Sequence, residues 1–217
     1  MKKSLSKAHV KHLCPVRISR ITNEFVKGFG FLKGHNKTVT FFGSARTKPS
    51  HKYYKEAVEL AEELSKRGYT VVTGGGGGIM EAANRGAYNR GGESLGINID
   101  LPKEQKINKY VKKSASFRYF FIRKVMLTFA SQAYIFFPGG FGTLDEFFEI
   151  TTLIQTNKIK KIPVVLIHKD YWGPFLDWIE KELYNKNKAI SKKDMDIYYL
   201  ADDTEEALKY LEKHYGK

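Results

Sequence analysis

The run Pro138-Gly139-Gly140-Phe141-Gly142-Thr143-Leu144-Asp145-Glu146 follows an apolar segment, residues 133–137, and precedes helix-period residues 147–156. A strand, a glycine loop and a helix N-terminus together make an anion site. The first N–H groups of the helix have no internal partner, and its dipole favours negative charge there. Gly139, Gly140 and Gly142 let backbone approach a phosphate closely, and Thr143 stands at the helix entrance. Glu146 has two readings. Thr143 as N-cap with Glu146 three residues on is a capping box. A carboxylate beside a phosphate loop can also steady an oxocarbenium-like sugar or orient a water. Asp145 and Glu149 read as solvated helix residues.

Five consecutive glycines, Gly74, Gly75, Gly76, Gly77 and Gly78, follow a strand and open a helix at Ile79-Met80, the right context for a second phosphate loop. The Gly-Lys-Ser/Thr ending of an NTP-binding loop is missing. The dinucleotide fingerprint also fails, because position 79 is Ile and a shifted register meets Glu81. The plain alternative is a tight turn that packs helix on strand. Five glycines lose more backbone entropy than such a turn requires, which favours a ligand role. Arg46 closes the loop 43–46 and either reaches a phosphate or stays in solvent. If 117–131 is helical, Arg123 has Tyr119, Phe120, Met126 and Leu127 three and four residues away. An arginine on such a stripe snorkels outward, pairs with a structural carboxylate, or lines an anion site. Lys124 doubles the positive charge. Six scattered histidines show no metal-ligand spacing, so no metal is expected. No nucleophile elbow surrounds Ser44.

The elements that must position these residues alternate. Strands are expected over 38–42, 69–73, 94–99, 133–137 and 162–167, with a short edge strand over 198–200. Helices are expected over 52–66, 79–89, 143–157, 172–183 and 204–214. Residues 117–131 read as a long helix, or as a short strand turning into one, and 103–116 are polar and ambiguous. Short continuous apolar strands imply a sheet covered on both faces. The pattern predicts an α/β fold, a Rossmann-like doubly wound parallel sheet flanked by helices, as a single domain over 38–217. Residues 1–37 form a basic extension: a polar, mobile tail to Ser19, then a short helix carrying Ile21, Phe25, Phe29 and Leu32 and ending near Gly34. Ligands of such sheets sit outside the carboxyl ends of the strands. The loops 43–46, 73–78 and 138–143 should converge there on one crevice.

Composition narrows the classes. The 217 residues hold 42% hydrophobic side chains, as in a globular protein. One cysteine, Cys14, excludes an internal disulfide and a cysteine-cluster metal site, and fits a cytoplasmic location. No apolar run approaches the ~20 residues of a membrane span, and the N-terminus lacks the apolar stretch of a secretory signal. The formal net charge is +14, of which residues 1–37 supply +8 from nine Lys/Arg and Glu24. No helix-turn-helix, zinc-finger or RNP-type pattern accompanies the basic excess, so nucleic acid is not the expected partner.

Arg123-Lys124, followed 23 residues on by the glutamate of Pro-Gly-Gly-x-Gly-Thr-x-x-Glu, resembles the paired signature of the LOG (Lonely Guy) family, often labelled "lysine decarboxylase-like". The Gly-run ending in Ile79-Met80 is similar to that family's first glycine motif, and the resemblance spans roughly residues 38–168. It implies hydrolysis of the N-glycosidic bond of a purine (AMP or cytokinin) riboside 5′-monophosphate, giving free base and ribose 5-phosphate, with no cofactor. It also implies Arg123 and Glu146 as the catalytic pair. At the nucleotide it places Gly75, Gly76, Gly77, Met80, Lys124, Gly139, Gly140, Gly142, Thr143 and Thr152, with Glu104 matching a substrate-contacting glutamate. A homodimer with the site near its interface follows from the same resemblance. Ile122 stands where many plant-type members have Glu, and Glu81 where they often have Gly; these departures bear on base specificity. Decarboxylation is not expected, since it needs a pyridoxal lysine with its phosphate and ring-nitrogen partners. A carrier or sensor that binds a nucleotide without turning it over is the alternative.

Overall fold

A computed structural model describes residues 7–100 and 106–215. Its strands are β1 (Thr38–Phe42), β2 (Thr70–Thr73), β3 (Ser94–Ile99), β4 (Lys113–Phe117), β5 (Ala133–Phe136), β6 (Val164–Ile167) and β7 (Tyr199–Ala201). They form one sheet in the order β4-β3-β2-β1-β5-β6-β7, and every pairing is parallel. The chain works outward from β1 to β4, then returns to the other side of β1. The switch point therefore lies between β1 and β5, where Phe42 pairs with Phe136. In open α/β sheets this is where ligands bind.

The helices are α1 (Lys7–Leu32), α2 (Lys52–Lys66), α3 (Ile79–Asn89), α4 (Phe120–Phe129), α5 (Phe141–Gln155), α6 (Lys169–Trp178) and α7 (Thr204–Tyr215). Side chains alternate across each strand, which gives two apolar layers. Val39, Phe41, Val71 and Ile135 pack with Leu60, Ala61, Ala83 and Leu211 of α2, α3 and α7. Phe42, Val72, Ile97 and Phe136 pack with Met126, Phe147, Ile150 and Trp172 of α4, α5 and α6. The layered, doubly wound fold expected above is thus present. α7 starts on Asp203, whose Oδ1 accepts the Glu206 N–H at 2.8 Å.

Two expectations are corrected, and a third region is decided between its stated alternatives. The tail and short helix of residues 1–37 are one helix of 26 residues over the described part, with Pro15 inside it. Its buried positions toward the C-terminal end, near Phe25 and Phe31, pack on the α4 layer, so tertiary contact carries a helix that local polarity obscured. Residues 113–117 are a strand, and the helix after them begins only at Phe120. The helix after the 138–142 loop begins at Phe141, with Gly140 as N-cap and no side-chain cap. Thr143 is therefore inside the helix, Glu146 lies in its second turn, and no capping box forms.

Candidate active site

The three loops meet through Ser44. Its N–H donates to Pro138 O at 3.1 Å, and its carbonyl accepts the Ile79 N–H at 3.0 Å. Gly78, with φ +66°, sits where a Cβ would fall 2.2 Å from Ser44 O, so only glycine lets the second loop close against the first. Tyr171 donates its hydroxyl to Gly139 O and holds the third loop from the far side. The result is a cleft of about 1190 Å³ at the carboxyl ends of β1, β2, β3 and β5.

One wall of the cleft carries a buried ion pair. Arg123 Nη1 donates to Glu146 Oε1 at 2.6 Å, with side chains only 12% and 8% exposed. Arg123 Nε donates to Ile97 O at 3.3 Å, and the guanidinium stands 5.7 Å from the Phe120 ring centre. Gly74 leaves room for it: a Cβ there would lie 2.6 Å from Arg123 Nη2. Burial raises the Glu146 carboxyl above its ordinary value; Arg123 and Lys124 pull it down, while Asp145 and Glu149 push it up. A carboxylate kept part-desolvated beside a fixed cation has the character of a catalytic group rather than of a surface charge.

The same cleft is also lined by backbone at the start of α5. The first bond inside α5 runs from Leu144 N–H to Gly140 O, at 3.1 Å, so the N–H groups of Phe141, Gly142 and Thr143 precede the helical ladder. A Cβ on Gly140 or Gly142 would meet nothing within 4 Å among the described residues, whereas Gly139 is pressed against Thr143 and Ser44. Arg46, Lys48 and His51 border the same space. An uncapped helix end with open room and nearby cations is an anion cradle.

Of the residues named from sequence, Arg46, Met80, Arg123, Gly139, Gly140, Gly142, Thr143 and Glu146 line this cleft. Gly75 and Gly76 lie behind it: Asn108 Nδ2 donates to their carbonyls at 3.2 and 2.9 Å, and Gly75 N–H donates to Thr73 Oγ1 at 2.8 Å. Gly77 stands beside Ala45 O. These three glycines are not brought to the cleft wall. Their packing among Thr73, Asn84, Asn98 and Asn108 matches the tight-turn reading. Lys124 turns away to Asp145 (2.9 Å) and Glu149 (3.2 Å), which are thus ion-paired rather than merely solvated. Thr152 is exposed on α5 outside the cleft. Glu104 lies outside the described residues. Ile99, Phe120 and Tyr171 line the cleft without a sequence signal, because each arrives there through sheet order or helix docking.

An open parallel sheet with an uncapped helix N-terminus and a buried carboxylate–guanidinium pair at its switch point defines a Rossmann-like α/β protein. A family model described as "Possible lysine decarboxylase" matches residues 80–211. Cytokinin riboside 5′-monophosphate phosphoribohydrolase LOG3 of Arabidopsis thaliana is 30% identical over 194 residues, 87% of this chain and 88% of that protein. The chain is 33% identical over 152 residues to LOGL5 of Oryza sativa subsp. japonica, named "Probable cytokinin riboside 5'-monophosphate phosphoribohydrolase". That match takes in 68% of this chain and 61% of the rice protein, less than two thirds of its length. The chain belongs to the LOG family. Among solved structures, the molybdenum cofactor carrier protein of Chlamydomonas reinhardtii shares the fold, with a TM-score of 0.62 over 83% of this chain and 99% of that one, at 21% identity. None of the helices among the described residues is long and apolar enough to cross a membrane.

Proposed function

We propose that this protein hydrolyses the N-glycosidic bond of a purine riboside 5′-monophosphate. The observation that carries this reading is the Arg123–Glu146 pair facing the same cleft as the uncapped N-terminus of α5. The 5′-phosphate sits on the N–H groups of Phe141, Gly142 and Thr143, with Arg46 near it. The ribose then extends toward Glu146. As the C1′–N bond breaks, positive charge develops at C1′, and the Glu146 carboxylate stabilises it or orients the attacking water. The water oxygen bonds to C1′, and the base nitrogen leaves with a proton derived from that water. Arg123 keeps Glu146 ionised and fixes its orientation. The relatives named as phosphoribohydrolases support the same reaction class.

Lysine chemistry is disfavoured at Lys124, the lysine next to Arg123. Burial alone would lower Lys124, but its bonds to Asp145 and Glu149 outweigh that and leave it raised. A Schiff-base lysine needs the opposite shift. A carrier would use the same glycine loops yet has no need of a charged pair kept out of water, which costs stability unless it serves a purpose. In the proposed reading the protein is a homodimer; Phe120, half exposed, and Phe141, almost fully exposed, both at the cleft, support a second copy there. Incubating the purified protein with AMP and with an N6-substituted analogue, and following free base and ribose 5-phosphate, tests the reaction. Free base from either substrate is expected. Nucleotide retained without base release would favour the carrier and sink the hydrolase.

A further inference from the structure

The basic extension contains one carboxylate, Glu24, and it is half-buried against the entrance of α4. Its Oε1 accepts the Arg118 N–H at 3.0 Å and its Oε2 accepts the Tyr119 N–H at 3.3 Å. These two amides open α4, whose N-cap is Tyr119 and which has no side-chain cap and no acidic residue in its first turn. α4 instead carries Arg123 and Lys124 near its N-terminal end, where the helix dipole is positive and cations are disfavoured. Glu24 supplies from another helix a negative charge beside the N-terminus of α4 and holds the amides of its N-cap residue and of the residue before it.

The contact is built on both sides. Gly28 lies so close to α4 that a Cβ there would fall 2.3 Å from Met126 Sδ and 3.1 Å from the Phe117 ring. The Phe25 and Phe121 rings are 6.4 Å apart, and the Arg17 guanidinium stands 5.8 Å from the Tyr119 ring centre. From Glu24 to the backbone of Arg123 the connection is one residue long, Tyr119. The Tyr119 N–H is held by Glu24, and the Tyr119 carbonyl accepts the Arg123 N–H at 3.2 Å. Arg123 then reaches Glu146.

We propose that Glu24 is a positioning residue for the reaction: it fixes the start of α4 so that the Arg123 guanidinium meets Glu146 and the substrate in register. The inference rests on the phosphoribohydrolase reading above and extends it to the N-terminal helix. A displacement of about 1 Å at a catalytic group lowers rate up to a hundredfold, so loss of this anchor acts on turnover more than on binding. With AMP as substrate, Glu24→Ala is expected to lower kcat about tenfold while KM stays within about twofold. Glu24→Gln keeps one acceptor oxygen and recovers most of that rate. In an Arg123→Lys background, where the guanidinium fork is already gone, Glu24→Ala costs less than about twofold. A merely structural role would lower the rate by the same factor in both backgrounds, through loss of folded protein, and that result overturns the proposal. So does a wild-type kcat in Glu24→Ala. A second readout needs no turnover: the NMR resonance of the Arg123 Nε–H, bonded to Ile97 O, should move in Glu24→Ala and stay near its wild-type position in Glu24→Gln. If the wild type releases no base from any nucleotide, the hydrolase reading falls by itself. The Arg123 resonance then decides the positioning role, and an unmoved resonance refutes it.

Discussion

Exchanging Glu146 for glutamine separates the two jobs a buried carboxylate can have. The variant keeps the side chain's shape and an acceptor for Arg123 Nη1, and it removes the charge. A carboxyl whose folded value lies above its unfolded one, as burial makes that of Glu146, opposes folding once ionised. Its contribution to stability is fully present below the ordinary carboxyl value and is lost as pH rises through the raised one. At pH 7 the Glu146 charge is therefore no net support to the fold. A hydrogen bond to a charged group contributes about 1.5–3 kcal/mol and a neutral one about 0.5–1.5, so glutamine gives up about 1 kcal/mol. It regains the desolvation penalty of the carboxylate. The net change should stay within about 1 kcal/mol, a Tm shift below about 4 °C for a chain of this size. Catalysis should respond very differently. Loss of a group that acts on charge developing in the transition state, or that orients water, costs about 10²–10⁴ in rate. The assay is adenine release from AMP, alongside thermal unfolding between pH 7 and pH 5; relative to the variant, the wild type should gain stability as pH falls. A rate within about tenfold of wild type would remove Glu146 from the chemistry. A Tm lower by about 10 °C or more would make it a structural residue instead.

Arg123→Met leaves Glu146 buried without its guanidinium. It should cost up to about 3–5 kcal/mol at pH 7 and less at lower pH, where the carboxyl takes up a proton; urea midpoints at the two pH values check this. Lys124→Gln removes one of the two groups that pull Glu146 down, so the acid limb of kcat/KM for AMP should move to higher pH; an unmoved limb would mean that another group titrates there. Gly140→Ala and Gly142→Ala meet no described atom within 4 Å and should unfold at the wild-type temperature while raising KM for AMP. Gly139→Ala would place its Cβ 2.1 Å from Thr143 Oγ1 and 3.0 Å from Ser44 N, and should destabilise by about 1–3 kcal/mol. If the first two leave KM unchanged, the phosphate does not rest on the N-terminus of α5.

The legible parts of the fold are those where one local signal suffices. β5 (AYIF) and β6 (VVLI) are continuous apolar runs because both faces of the sheet are covered, and the loops after β1, β2 and β5 announce themselves by glycine. β4 (KSASF) is an edge strand with its first two residues exposed, so it lacks the apolar run. α1 was only partly visible because Pro15 and the basic residues mask a helix that is held by packing on α4. Within the five-glycine loop, Gly74 lines the cleft beside Arg123, and the next three glycines lie behind it. Gly75, with φ +72°, is demanded by Asn98, whose Oδ1 would lie 2.2 Å from a Cβ there, and Asn108 Nδ2 donates to the Gly75 and Gly76 carbonyls, contacts that only the closed sheet creates.

Glu146 is the sharpest case. Spacing alone made it a capping box with Thr143, a pairing that uses only residues within one turn. The fold starts α5 two residues earlier, at Phe141. That shift frees the first N–H groups from any side-chain cap and carries Glu146 into the second turn, where Arg123 from α4 can reach it. A capped α5 would be more stable by about 1 kcal/mol. A well-packed apolar pair in place of Arg123–Glu146 would commonly be as stable or more so. Both concessions fall in the same cleft, and neither helps the fold. Their common effect is an anion cradle and a carboxylate bordering one space of about 1190 Å³. This joint arrangement, more than either motif, argues for chemistry on a phosphorylated sugar, because only a ligand with its phosphate at one end and developing positive charge at the other repays both losses.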